Sequence, residues 1–158
     1  MDLPFDPELD LEINRVIAAS PATIWRCLTE AALIEQWFCP KPWQAHDVVM
    51  EPHPGGAFST PMKGPDGAGF EGTPGCILAA EPERLLVFTD ALGPGLRPGA
   101  EAGFMTGSYA LAPVEAGTRL TARALHAAPE QRARHEEMGF YTGWGTAVDQ
   151  LAALASTL

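Results

Sequence analysis

The residues of this chain able to do chemistry are few, and their spacing decides which chemistry is open to them. His46, His53, His126 and His135, with Cys39 and Cys76, would suffice on paper for a metal ion. None stands at a ligand spacing such as H-x-x-x-H or C-x-x-C, so neither a metal site nor a cofactor is expected. No Gly-x-Ser-x-Gly turn occurs, and "HPGGAF" and "GPDGAG" read as hairpin turns rather than phosphate loops. No serine or cysteine has a base beside it, which leaves nucleophilic catalysis without support. What remains is polar groups on apolar strand faces. In "LTARALH", Leu120, Ala122, Ala124 and His126 share a face; in "LLVFTDAL", Leu86, Phe88 and Asp90 share one. His126 and Asp90 can act as base and orienting carboxylate, or bind a polar group of a ligand, or simply meet solvent, since both stand at strand ends.

A second cluster is apolar. "QWFCPKPWQAHDVVME", residues 36–51, sets Trp37, Phe38 and Trp43 close together, broken by Pro40 and Pro42. Such ring area is a core seam, the mouth of a ligand cavity, or an exposed docking patch. The last is disfavoured, because apolar area of that size in the open promotes aggregation.

The elements that position these residues follow from periodicity. "LEINRVIA" alternates, with Leu11, Ile13 and Ile17 on one face and Arg15 as the exception, and reads as a strand. Ser20-Pro21 is an N-cap followed by proline at the first helical position, and Ile24, Cys27 and Leu28 recur at helical spacing. Thr29 is expected to cap a second short helix bearing Leu33, Ile34, Trp37 and Phe38, which Pro40 ends. Six strands follow between Trp43 and Leu125, separated by glycine- and proline-rich breaks whose shortness favours an antiparallel meander. The one longer break, Gly93 to Gly103, is the natural lid. After Pro129 the period is helical again: Tyr141, Trp144, Val148, Leu151, Ala155 and Leu158 predict a helix of about 20 residues or more. Gly139, Gly143 and Gly145 weaken its first turns, which suits a backbone passing close to something there.

The sequence has 158 residues, 46% hydrophobic and 19% charged, so it can bury one sizeable core: residues 1–10 as an extended lead-in, 11–158 as a single domain. A net charge of −10 argues against nucleic acid and against anionic lipid surfaces. "MDLPFDPELD" has acids where a signal peptide needs bases, and no apolar run approaches a membrane span. Cys27, Cys39 and Cys76 read as reduced, mostly buried thiols, which points to the cytoplasm.

The element order predicts an α+β protein: a curved antiparallel sheet of about six or seven strands wrapped around a long C-terminal helix, with two short helices after the first strand. Four stretches in sequence make this chain resemble the activator of Hsp90 ATPase homologue 1-like family, of the START-like (SRPBCC) superfamily with its helix-grip fold. These are "NRVIAASPATIWRCLTEAALIEQWF", "GCILAAEPERLLVFTDAL", "LAPVEAGTRLTARAL" and "GWGTAVDQLAAL", spanning about residues 11–157. Ala124 and Asp90 depart from the pattern, standing where the family often has a polar residue and an aromatic. The resemblance implies a cavity between helix and sheet. On that reading the cavity is lined by Trp37, Trp43, Phe58, Phe88, Asp90, Tyr109, His126, Tyr141 and Trp144. The function expected first is carriage or sensing of a small hydrophobic or aromatic ligand, with no catalytic residue assigned. A cyclase- or hydratase-like enzyme using His126, Asp90 and Tyr141 in the same cavity is the alternative. A co-chaperone-like module for a protein partner is the third, and a homodimer is left open.

Overall fold

The computed structural model describes residues 1–158. The chain runs β1 (Asp10–Ile17), α1 (Pro21–Thr29), α2 (Ala31–Trp37), β2 (Gln44–Ala45), β3 (Val49–Met50), β4 (Ala57–Ser59), β5 (Met62–Lys63) and β6 (Gly69–Phe70). It continues with β7 (Gly75–Glu81), β8 (Leu85–Thr89), β9 (Leu92–Gly93), β10 (Arg97–Pro98), β11 (Thr106–Val114), β12 (Gly117–Leu125), α3 (Pro129–Glu137) and α4 (Phe140–Ala155). Seven strands form the main sheet in the order β1-β12-β11-β8-β7-β4-β3, and every pairing in it is antiparallel. A small sheet β2-β5-β6 and the β9-β10 hairpin stand apart from it. This is the expected helix-grip arrangement, with α1, α2 and α4 packed on one face of the sheet.

Local chemistry explains most boundaries. The Ser20 hydroxyl accepts a hydrogen bond from the Thr23 amide at 3.2 Å, and Pro21 opens α1 where no amide donor is needed. The second helix departs from expectation. Its N-cap is Glu30, which makes no side-chain capping bond, while Thr29 donates its hydroxyl back to the Trp25 carbonyl at 2.7 Å. The expected lid is not featureless either, since residues 92–98 fold into the β9-β10 hairpin.

The C-terminal helical region is broken where one helix was expected. Gly139, at φ 97°, turns the chain between α3 and α4, a conformation in which a side chain is strained, so α4 has only 16 residues. Its buried stripe begins one residue earlier than the sequence reading placed it: Phe140, Ala147, Val148, Leu151 and Ala155 are buried, Trp144 is half-buried, and Tyr141 is 48% exposed. Arg15, the polar exception in β1, reaches α4 and pairs with Asp149 at 3.1 Å. A Cβ at Gly145 would stand 3.0 Å from the Arg15 guanidinium, whereas Gly143 faces open space and has no such reason.

Gln150 fastens α4 to the end of α2. Its amide nitrogen donates to the carbonyls of Trp37 (2.9 Å) and Cys39 (2.8 Å), and its oxygen accepts from the Lys41 amide (3.0 Å). Those carbonyls belong to the helix end, where intrahelical partners run out. On the outer face of the sheet, the lead-in is strapped down: Arg123 donates to the Leu3 carbonyl at 2.8 Å, and Leu3 covers Ala79, Leu85 and Val87. All three thiols are free and buried, and burial pushes Cys27 up and Cys39 up to about 11.

The burial contrast between neighbouring rings gives a direct test. Phe140→Ala should cost about 3–5 kcal/mol through lost transfer energy and the cavity left behind, and Tyr141→Ala less than about 0.5 kcal/mol. Urea unfolding of the two variants checks this, and equal midpoints would mean that α4 is rotated from the orientation described.

Candidate functional site

The groove between α4 and the sheet is filled by rings. Phe140 stacks on Trp144 (4.9 Å, 10°), Trp144 on Tyr109 (6.0 Å, 30°), and Tyr109 on Phe88 (5.8 Å, 29°). Phe88 meets Phe58 edge-on at 5.1 Å, Phe58 meets Phe38 at 5.9 Å, and Trp37 closes against Tyr109 at 6.0 Å. Glycine makes one of these contacts possible. Gly107 pairs with Phe88 across β11 and β8, and a Cβ there would stand 2.3 Å from the Phe88 ring. The free volume therefore lies beyond the rings, at the open end of the groove.

That volume is a cavity of about 780 Å³. Five phenylalanines line it: Phe38, Phe58 and Phe88 from the ring stack, Phe70 from β6, and Phe104 from the loop before β11. Met62 and Met105 add flexible apolar surface. Residues 70–73 form one wall and 99–105 the facing wall, so the hairpin β5-β6 and the second half of the expected lid bound the entrance. The volume falls within the roughly 300–1,000 Å³ usual for small-molecule sites.

Asp90 shapes the second wall. Its Oδ1 accepts hydrogen bonds from the amides of Phe104 (2.8 Å) and Met105 (3.1 Å), which pins the loop across the end of β8. Thr89 adds a hydroxyl bond to the Met105 carbonyl at 3.3 Å. Behind Phe104 lies a pair of buried histidines. His126 Nδ1 faces the Leu9 carbonyl at 2.8 Å, so that nitrogen carries the proton and donates. His126 Nε2 is then an acceptor, and His135 Nδ1, 2.9 Å away, donates to it. Phe104 packs on both rings, at 5.8 and 4.9 Å. Burial, and then the neighbouring His126, pulls His135 down to about 4.

The structure divides the residues expected to line one cavity. Phe58, Phe88 and Asp90 line it. Trp37, Tyr109, Trp144 and His126 sit behind it: Trp37, with its indole donating to the Cys27 carbonyl at 2.8 Å, and Tyr109 are core. Trp43 and Tyr141 are outside it, 38% and 48% exposed, with Trp43 lying over Gly64. The aromatic cluster at residues 37–43 thus splits: Trp37 is core seam, Phe38 is cavity wall, and Trp43 is neither. His126 and Asp90 do not meet as base and carboxylate, because each is bound elsewhere. Burial also raises the Tyr109 phenol, which stays protonated at neutral pH. Sequence reasoning considered Phe38 for a cavity mouth without placing it in the lining set; it missed Phe70 and Phe104 as lining residues, and it missed His135, whose position on the polar helix α3 hid its burial.

A smaller cavity of about 210 Å³ lies under the lead-in on the outer face. Its cationic groups are already matched, Arg84 and the terminal ammonium with Glu81 and Arg123 with Glu12, so it is a seam of the strap.

Comparison with known proteins agrees with this architecture. Residues 18–156 match the family model described as "Activator of Hsp90 ATPase homolog 1-like protein". A crystal structure of a protein from Nitrosomonas europaea is 43% identical with a TM-score of 0.92, covering 97% of each chain. A protein from Rhodobacter sphaeroides is 28% identical, TM-score 0.79, covering 96% of this chain and 94% of its own. One from Mycobacterium smegmatis is 27% identical, TM-score 0.77, covering 98% and 95%. No curated protein matches the chain. No helix is long and apolar enough to cross a membrane.

Two outcomes follow from the site's polar groups. The folded state holds His135 neutral while the unfolded chain binds a proton near pH 6.5, so its contribution to stability is complete above about pH 6.5. It is lost as pH falls toward about 4, by on the order of 2–3 kcal/mol. Unfolding free energies measured from pH 7 to 4 should decline, and His135→Gln should flatten the decline; an unchanged slope would place the titration elsewhere. Asp90→Ala should speed hydrogen exchange at the Phe104 and Met105 amides by about tenfold or more, while core amides keep their protection. Unaltered exchange at those two amides would show that Asp90 does not hold the loop.

Proposed function

The chain belongs to the activator of Hsp90 ATPase homologue 1-like family, and on that footing we propose that it is a binding module for a small hydrophobic or aromatic ligand. The observation that carries this reading is the aromatic cavity of about 780 Å³ at the open end of a groove otherwise filled by rings. A floor of rings packed edge to face with loop walls is what a carrier or sensor needs: apolar contact supplies affinity, and a few polar groups set orientation.

The commitments of the polar groups favour binding over catalysis. Asp90 Oδ1 holds the loop, both ring nitrogens of His126 have partners, and Tyr141 lies outside the cavity. A cyclase- or hydratase-like reaction needs a base aligned with a proton of its substrate, and of the three groups that reading invokes only the second oxygen of Asp90 is left without a partner. The partner-binding reading needs an apolar patch on the outer face of the sheet, and there the lead-in already covers Ala79, Leu85 and Val87. The three reduced thiols support a cytoplasmic setting.

A neutral fluorescent probe, N-phenyl-1-naphthylamine, tests the reading. Titrated into the native protein, it should bind saturably at one site and quench tryptophan emission. Thr60→Trp, which puts a bulky ring into the wall of the cavity, should weaken binding about tenfold, a loss of roughly 1.4 kcal/mol. Tyr141→Ala should leave it unchanged. Binding that is unsaturable, or indifferent to Thr60→Trp, would dismiss the cavity as the site.

A further inference from the structure

We propose that the ligand of this cavity is a hydrophobic cation: a protonated amine or quaternary ammonium group carried on an aromatic or branched alkyl body. The proposal rests on the binding reading above and adds the charge of what is bound. Three carboxylates line the cavity, Glu71, Asp90 and Glu101, and no lysine, arginine or histidine does. Glu71 follows β6, Asp90 follows β8, and Glu101 lies in the segment before β11. None of the three takes part in an ion pair with the protein's own cations. The mouth of the cavity therefore carries uncompensated negative charge in a molecule already at −10.

The other half of the argument is the rings. The faces of phenylalanines attract a cation through the ring quadrupole, most strongly where water is excluded. Carboxylates beside an aromatic floor are the chemistry that recognises organic ammonium groups: the body of the ligand buries against the rings while the charged end meets the acids. A fatty acid or aromatic carboxylate would bring a like charge to this mouth with no base to receive it, and a field of one sign suppresses such ligands as well as attracting their opposites. Asp90 adds a fixed charge. Its Oδ1 is held by the Phe104 and Met105 amides, which keeps the carboxylate oriented, and its Oδ2 makes no hydrogen bond within the protein.

The test uses three probes of one shape on the full chain at pH 7: 1-naphthylmethylammonium, 1-naphthylmethanol and 1-naphthoate, titrated calorimetrically. The ammonium probe should bind about tenfold more tightly than the alcohol, and the carboxylate should bind weakest. Raising salt from about 50 to about 500 mM should narrow the gap, since the groups are exposed to screening. Glu71→Gln combined with Glu101→Gln should bring the ammonium probe within about threefold of the alcohol, each affinity being measured on the same variant. Both residues are exposed, so the double variant keeps the fold, which its melting curve checks. If the alcohol binds as tightly as the ammonium probe, or the carboxylate binds best, the charge assignment is overturned while the cavity stands as a binding site. An undiminished preference in the double variant overturns the role of the two glutamates. If none of the three binds, the binding reading fails and this inference goes with it.

Discussion

The continuous run of rings from Phe140 to Phe38 is the constraint on which the rest of the structure depends. It crosses from α4 through Tyr109 on β11 to Phe88 on β8, Phe58 on β4 and Phe38 at the end of α2. Aromatic pairs contribute about 0.5–1.5 kcal/mol each beyond the area they bury, and their offset and edge-on geometries permit few alternative packings. The run therefore sets how far α4 sits from the sheet. It also sets where the groove is closed. Free volume survives only where the run ends, against Phe38, Phe58 and Phe88, and the cavity has those rings as its floor.

Polar groups complete what the rings begin. Gln150 satisfies two carbonyls and an amide at the end of α2, so the segment carrying Trp37 and Phe38 is held by the same helix that packs on their rings. An apolar side chain at that position would leave these groups without partners, at about 1–3 kcal/mol for each one that stays buried. Asp90 does the same service for the wall at residues 99–105, fixing the loop that carries Phe104. One edge of the floor and one wall of the site are thus tied to regular elements through one side chain each. This is how loops that line a site can keep a defined shape without being part of a sheet.

The architecture was legible because it is written in period and punctuation. Alternation in "LEINRVIA", the Ser20-Pro21 start and the glycine-proline breaks each follow from local sterics and local burial. The stripe of α4 was legible in period and, from Trp144 to Ala155, in phase. Its first ring was not: Tyr141 and Phe140 are adjacent, and where the helix starts, after the turn at Gly139, bears on which of them faces the sheet. The site was less legible, for a physical reason. Phe58, Phe88 and Asp90 could be picked out as residues on strands, but the walls come from segments about thirty residues apart in sequence, 70–73 and 99–105, whose meeting depends on tertiary packing. His135 shows the same limit: on "PEQRARHEE" nothing in the pattern distinguishes it from its exposed neighbours, and it is buried because Phe104, Phe140 and His126 converge on it.

The burial of that histidine pair bears on what kind of site this fold can host. A buried imidazole is available for proton transfer only if one nitrogen is free to meet a substrate, and His126 spends one on the Leu9 carbonyl and the other on His135. The Phe104 ring stands against both imidazoles and also lines the cavity. The histidines therefore act on the site through the position of that ring rather than through a proton. Asp90 likewise lines the cavity while its Oδ1 holds the backbone. Asp90 Oδ1 and the two imidazoles are thus engaged in maintaining the walls, so the shape of the cavity rests on polar bonds as well as on rings.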